Sequence, residues 1–249
     1  MKLIITKNVF SLALSLSATL ASGQASTPLP TANDIVTKMM QFDARRQAQL
    51  PGYTATRRYV AVNKNRHAEM TVHVECAGDG AKQFTILSEQ GSGSIRKHVF
   101  QKLLSEETEA SRRGTRTSTR LIPANYDFQI VRQETLETRP AYVLEVRPRT
   151  PSKYLINGKI WVDANDYSIV RIEGEPARNP SFWVHSVHFI HTYQKVGDLW
   201  LASSTNTTSE VRIFGESELT IANSDYKLNP SNKSNATSSE LNTEARLAQ

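Results

Sequence analysis

The chain has 249 residues, 39% of them hydrophobic, with a formal net charge of +6 and one cysteine. The apolar share is enough for a packed core, and so mild a basic excess does not mark a nucleic-acid binder. A single cysteine excludes an internal disulfide, so stability must come from that core.

Residues 1–25 contain Lys2 and Lys7 but no acid, then an apolar run from Val9 to Ala21 and the small-residue stretch Ala21-Ser22-Gly23-Gln24-Ala25. This is the order of a cleavable secretory signal peptide. The run is shorter than the roughly 18 residues needed to span a bilayer, and no cysteine near the cut offers a site for lipid modification. A chain of about 224 residues, exported across the inner membrane and soluble in the periplasm, is expected. Residues 26–30 form a Pro-rich linker.

Ile35, Val36, Met39, Met40 and Leu50 then recur at helical spacing, with Asn33 as the expected cap and Pro51-Gly52 as the stop. From Tyr53 the period becomes two. Met70, Val72, Val74 and Cys76 alternate with polar neighbours, as do Tyr126, Phe128 and Ile130, and again Tyr142, Leu144 and Val146. Turns are expected at Gly78-Asp79-Gly80, Arg139-Pro140, Asn157-Gly158, Asn165-Asp166 and Gly197-Asp198. The spacing fits 8–11 antiparallel strands. Between Ser94 and Ser111, Ile95, Val99, Leu103 and Leu104 form one stripe on an otherwise charged helix, with Ser94 as its cap after a Gly91-Ser92-Gly93 hinge. A helix inserted in a strand meander cannot extend the sheet, so it must pack on a face. Residues 223–249 are polar and expected to be a disordered tail. Asn206-Thr207-Thr208, Asn232-Lys233-Ser234 and Asn235-Ala236-Thr237 match the glycosylation acceptor pattern, which such Asn/Thr-rich sequence also produces by chance.

Several constellations fail as chemistry. His185, His188 and His191 are spaced by three, but their β-branched and aromatic surroundings predict a strand, which puts His188 on the face opposite the other two. No metal site follows. Gly91-Ser92-Gly93-Ser94 lacks the Gly-Lys-Ser/Thr of a phosphate loop, and neither Gly-x-Ser-x-Gly nor His-Glu-x-x-His occurs. Cys76, in an apolar alternation, reads as a core thiol. No catalytic set and no cofactor are implied. Arg112, Arg113, Arg116 and Arg120 cluster after the inserted helix; they are either a solvated run or headgroup contacts for a lipid phosphate.

The stretch Gly158-Lys159-Ile160-Trp161-Val162-Asp163-Ala164-Asn165-Asp166-Tyr167-Ser168-Ile169-Val170-Arg171-Ile172-Glu173-Gly174 resembles a hairpin of the bacterial outer-membrane lipoprotein-sorting superfamily, which includes the LolA and LolB carriers. Residues 187–202 resemble its next hairpin and residues 211–215 the strand after it. Over residues 31–222 the resemblance implies a mainly β (α+β) domain, an incomplete antiparallel β-barrel with helices covering a concave face that holds acyl chains. It also implies an early-strand arginine that closes the lid, for which Arg57 and Arg58 are the counterparts.

On that reading the lining comprises Met70, Val72, Val74, Phe84, Ile86, Phe128 and Ile130, then Leu144, Val146, Ile160, Val162, Val170 and Ile172. Ile35, Met39, Met40, Ile95, Val99 and Leu103 form the lid. Each is equally what a filled core would use. The expected role is that of a monomeric periplasmic carrier or receptor for a lipid or lipoprotein acyl moiety. The alternatives are an envelope-stress sensor that binds lipid and a membrane protein or lipoprotein, and an enzyme that uses the cavity.

Overall fold

Thr31 starts the first helix: its hydroxyl accepts from the Asp34 amide at 3.2 Å while the Asp34 carboxylate accepts from the Thr31 amide at 3.3 Å. The cap is therefore Thr31 and not Asn33, because an Asp three residues on completes the reciprocal pair. The computed structural model describes residues 29–112, 119–179, 184–212 and 215–229. The signal and most of the linker, Arg113, Arg116, the acceptor patterns at Asn232 and Asn235, and the tail beyond 229 lie outside them.

Helix α1 (Ala32–Gln49) is followed by β1 (Tyr53–Asn63), β2 (Arg66–Cys76) and β3 (Lys82–Gly91). A helical insert comes next: α2 (Gly93–Ile95), a π-helical turn (Arg96–Phe100) and α3 (Gln101–Ala110). Then come β4 (Tyr126–Leu136), β5 (Arg139–Pro148), β6 (Ile156–Asp163), β7 (Ile169–Pro176), β8 (Val184–Val196), β9 (Leu199–Val211) and β10 (Gly215–Leu228). All ten strands form one open antiparallel sheet in the order β3-β2-β1-β10-β9-β8-β7-β6-β5-β4. The insert leaves the sheet at one edge strand and the chain returns at the other. The insert packs on the sheet's face through Ile95 and Phe100. The result is mainly β and matches an incomplete barrel.

Two cores lie on the helix side. In the first, Ile95 and Phe100 pack on Tyr59, Met70, Val72 and Val74. In the second, Ile35, Val36 and Met39 of α1 pack on Tyr126, Leu144, Val146, Ile160 and Val162. A third cluster, Ala141, Val143, Trp161 and Val170 with Leu136 and Trp200 against it, forms separately. Strands β5 to β7 therefore bury both faces.

Several sequence expectations need correction. Val170 belongs to the third cluster because β7 bulges there: Trp161 faces Arg171 and Val162 faces Ile169, so Val170 is the extra residue. Val99 stays 37% exposed while Phe100 is fully buried, since a π turn places residue i+5 where i+4 would otherwise fall. Met40 is 37% exposed at the edge of the α1 stripe. Ile86, opposite Val72 on the edge strand, is 44% exposed beside the bulge at Leu87. Ser92, not Ser94, is the N-cap of α2, and its side chain makes no capping bond. Gly91 ends β3 at φ +84°, where an added Cβ would lie 2.3 Å from the His67 carbonyl oxygen, so it is a close-approach residue and not a hinge. Arg139-Pro140 begins β5, and Gly158 sits inside β6 against Gly174, so neither dipeptide is a turn. Residues 223–228 continue β10 and are not tail; alternate polar side chains suit a strand with one wet face.

Candidate functional site

A cavity of about 650 Å³ lies between the C-terminal half of α1, α3 and the strands β1, β8, β9 and β10. The β1 alternation Tyr53, Ala55, Arg57, Tyr59, Ala61 points inward, so Arg57 is carried into an otherwise apolar face and is 4% exposed. Its Nε donates to the Asn223 side-chain oxygen at 2.7 Å and its Nη1 to the Tyr59 hydroxyl at 3.2 Å. The same Nη1 lies 2.5 Å from Glu107 Oε2 on α3, and Lys82 Nζ of β3 lies 2.8 Å from Glu107 Oε1. Arg58, by contrast, is exposed and pairs with Glu69 at 2.6 Å. Of the two arginines, Arg57 is the one that reaches the covering helix.

Burial pushes the Glu107 carboxyl up, but Lys82 and Arg57 outweigh it and hold it below its ordinary value. Burial works against the Arg57 guanidinium, and Glu107 and Tyr59 more than offset this. Beside them on β8, His191 Nδ1 lies 2.5 Å from Thr205 Oγ1. Desolvation first, then Lys82 and Arg57, push its imidazole down to about 4. His191 is thus neutral at pH 7.

That shift has a measurable sign. Between about 4 and the ordinary 6.5 only the unfolded chain takes up the proton, so stability falls as pH drops through that window. The contribution is about 2–3 kcal/mol. Urea unfolding at pH 7 and pH 4.5 should show His191→Gln losing less on acidification than the parent chain by about that amount. Equal losses would contradict a buried neutral imidazole.

The remaining cavity wall is largely apolar: Tyr53, Leu199, Leu201 and Ile221, with Tyr193 and Trp200 toward α1. Burial raises the Tyr193 phenol to about 12, with Asp43 adding to the shift. Asp43, Arg46, Tyr193 and Trp200 also line an adjoining compartment of about 280 Å³ that adds Met39, Met40, Leu121 and Ile122. There Arg120 pairs with Asp43 at 2.7 Å, while Arg46 donates to Ser168 Oγ at 2.8 Å and to the Asp166 carbonyl at 3.2 Å. An apolar groove of about 380 Å³ lies apart, bordered by Ile95, Val99, Val187 and Leu219.

None of the thirteen expected strand positions lines the 650 Å³ cavity. Met70, Val72, Val74 and Phe84 belong to or pack against the first core, while Phe128, Ile130, Leu144, Val146, Ile160, Val162 and Ile172 lie in or against the second. They are the packed floor beneath the helices. Of the lid residues, Ile35 and Met39 are buried in the second core, and Leu103 packs on the first. Arg112 is an exposed partner of Glu109 at 2.9 Å, far less enclosed than Arg120. Arg57 was legible only as one of two candidate arginines and His191 only as one of three spaced histidines, although a charged or polar residue in an inward apolar alternation was a usable signal. Nothing in the sequence singled out Glu107 or Lys82.

The three histidines are divided: His185 and His188 are exposed and His191 faces the cavity. Among the described residues no group of three or more His, Cys, Asp or Glu side chains could hold a metal ion. No described helix is long and apolar enough to cross a membrane. Cys76 is buried at the cavity wall, its thiol 3.6 Å from the Ala77 carbonyl oxygen.

No protein-family profile matches the chain, and no curated protein matches it in sequence. Among solved structures, a DUF1329 family protein from Desulfovibrio piger aligns over 81% of this chain and 95% of its own at 12% identity, with a TM-score of 0.43. A putative outer membrane lipoprotein-sorting protein domain from Vibrio parahaemolyticus aligns over 78% and 94% at 14% identity and TM-score 0.40. A LolA superfamily protein from Nitrosomonas europaea aligns over 80% and 94% at 11% identity and TM-score 0.36.

Proposed function

We propose that the chain is an exported periplasmic protein that binds a lipid, or the acyl part of a lipoprotein, in the cavity between its two helical covers, by reversible burial without covalent chemistry. The observation that carries this reading is an unfilled volume of about 650 Å³ walled by Tyr53, Leu199, Leu201 and Ile221, between helices whose own apolar stripes are already satisfied by separate cores. Its size falls within the range of small-molecule sites. The signal-like residues 1–25 and the hairpin resemblance at residues 158–174 agree with it.

The energetics suffice. Each methylene moved from water to such a wall contributes about 0.8 kcal/mol, so ten give about 8 kcal/mol before ordering costs. Native mass spectrometry of protein taken from its own compartment should show co-purified lipid. Leu201→Arg should weaken uptake of a fluorescent fatty acid by about tenfold or more, because it sets a charge in the apolar wall. A protein that is consistently empty and takes up no fluorescent fatty acid would end the reading.

A further inference from the structure

The cavity floor is electrostatically lopsided. Arg57 and Lys82 share one carboxylate, Glu107, whose two oxygens bridge them at 2.5 and 2.8 Å. Arg57 is the fixed partner. The Arg57 side chain is 5% exposed and is pinned by Asn223 and Tyr59, and Lys82 sits on β3. The anion is the adjustable one: the Glu107 side chain is 30% exposed and hangs from α3, a cover and not part of the sheet. The depressed titration of His191, due in part to Lys82 and Arg57, reports the same positive field inside the cavity.

We propose that the ligand of this cavity is an anionic amphiphile whose head group, a carboxylate or a phosphate, replaces the Glu107 carboxylate between Arg57 and Lys82, and so releases α3 from the sheet. This rests on the cavity being a lipid site. A carboxylate or phosphate presents the same two-oxygen bite that Glu107 presents. Burying a lone anion would be prohibitive, but here the counter-charges are already in place and Arg57 is already desolvated. Exchange for a carboxylate keeps the charge of the floor constant, a phosphate dianion adds one negative charge opposite the two cations, and the released Glu107 can turn to water. Leu199, Leu201 and Ile221 would receive the apolar tail.

The test compares ligands of one chain length at pH 8: dodecanoate, dodecyl phosphate and dodecanol, with acetate and inorganic phosphate as head groups alone. Either anionic amphiphile should bind at least about tenfold more tightly than dodecanol, the fold-change of one charge-assisted hydrogen bond. Lys82→Met should reduce that preference to within about threefold. Glu107→Gln should tighten anion binding, since its internal competitor is gone, whereas a merely structural Glu107 would give weaker binding or none. Hydrogen exchange in α3 should rise with dodecanoate and stay level with dodecanol. If dodecanol binds as tightly as both anions, the head-group inference is lost while the lipid site stands. If inorganic phosphate or acetate binds as tightly as the matching amphiphile, the floor is a free-anion site and the proposal is overturned. If none of the amphiphiles binds, the cavity reading itself fails.

Discussion

Glu107→Gln is expected to lower the free energy of unfolding at pH 7 by about 3–5 kcal/mol, because it leaves Arg57 as a deeply buried charge without its counter-ion. The neutral amide can still accept a hydrogen bond, so the loss isolates charge from geometry. Removing both partners should cost less than removing one. Arg57→Met with Glu107→Leu takes two ions out of the interior and replaces them with apolar volume, a change that is often neutral or stabilising. Lys82 lies at the sheet edge with a quarter of its side chain exposed, so it can turn outward in the double variant. Urea denaturation of the three proteins measures this directly. A single variant that loses less than about 1 kcal/mol would mean that water already compensates Arg57.

Phe100→Ala should cost about 3–5 kcal/mol, against less than about 1 kcal/mol for Val99→Ala. The contrast comes from the difference in burial that the π turn sets, together with the larger volume of Phe100. Phe100 is fully buried, its ring 5.8 Å from that of Tyr59, while Val99 faces the partly open groove. A plain α-helix in register with Ile95 would send Val99 inward and reverse the order of the two effects. Thermal or urea unfolding of both variants therefore reads the helix register from stability alone. Comparable losses at the two positions would argue against the π turn.

The strands were legible because period-two alternation needs only a wet and a dry side. Met70, Val72 and Val74, and Leu144 and Val146, are buried as their spacing demanded. Irregularities were not legible. The bulge at Val170 and the π turn at Arg96–Phe100 each insert one residue, and one residue is enough to change which side chain faces the core. The cavity was least legible of all. Its location depends on where two helical covers stop, a property of the packed molecule with no local signature. Its most telling residue, Arg57, was identified only as one of two arginines until the β1 register showed which of them points inward. The turn assignments at Pro140 and Gly158 misled because proline at a strand start and glycine opposite glycine are also tolerated within a sheet.

The ladder between β7 and β8 runs only from Arg171 opposite Thr192 to Gly174 opposite Phe189, shorter than any other in the sheet among the described residues. The first core ends on one side of it and the second on the other, while the cavity draws walls from both. The sheet thus divides into two leaves joined by this short ladder. Neither of the two main cores crosses this ladder, and the third cluster does so only through Trp200 of β9, which packs against the β5–β7 residues. The leaves are fastened at one end, where Trp200 Nε1 donates to Asp166 Oδ2 at 2.9 Å and Lys195 approaches the same oxygen at 3.4 Å. Such a clasp ties the gape between the leaves to two polar contacts and to the packing of one indole, so a bulkier guest would be admitted at the expense of Trp200 and not of either main core.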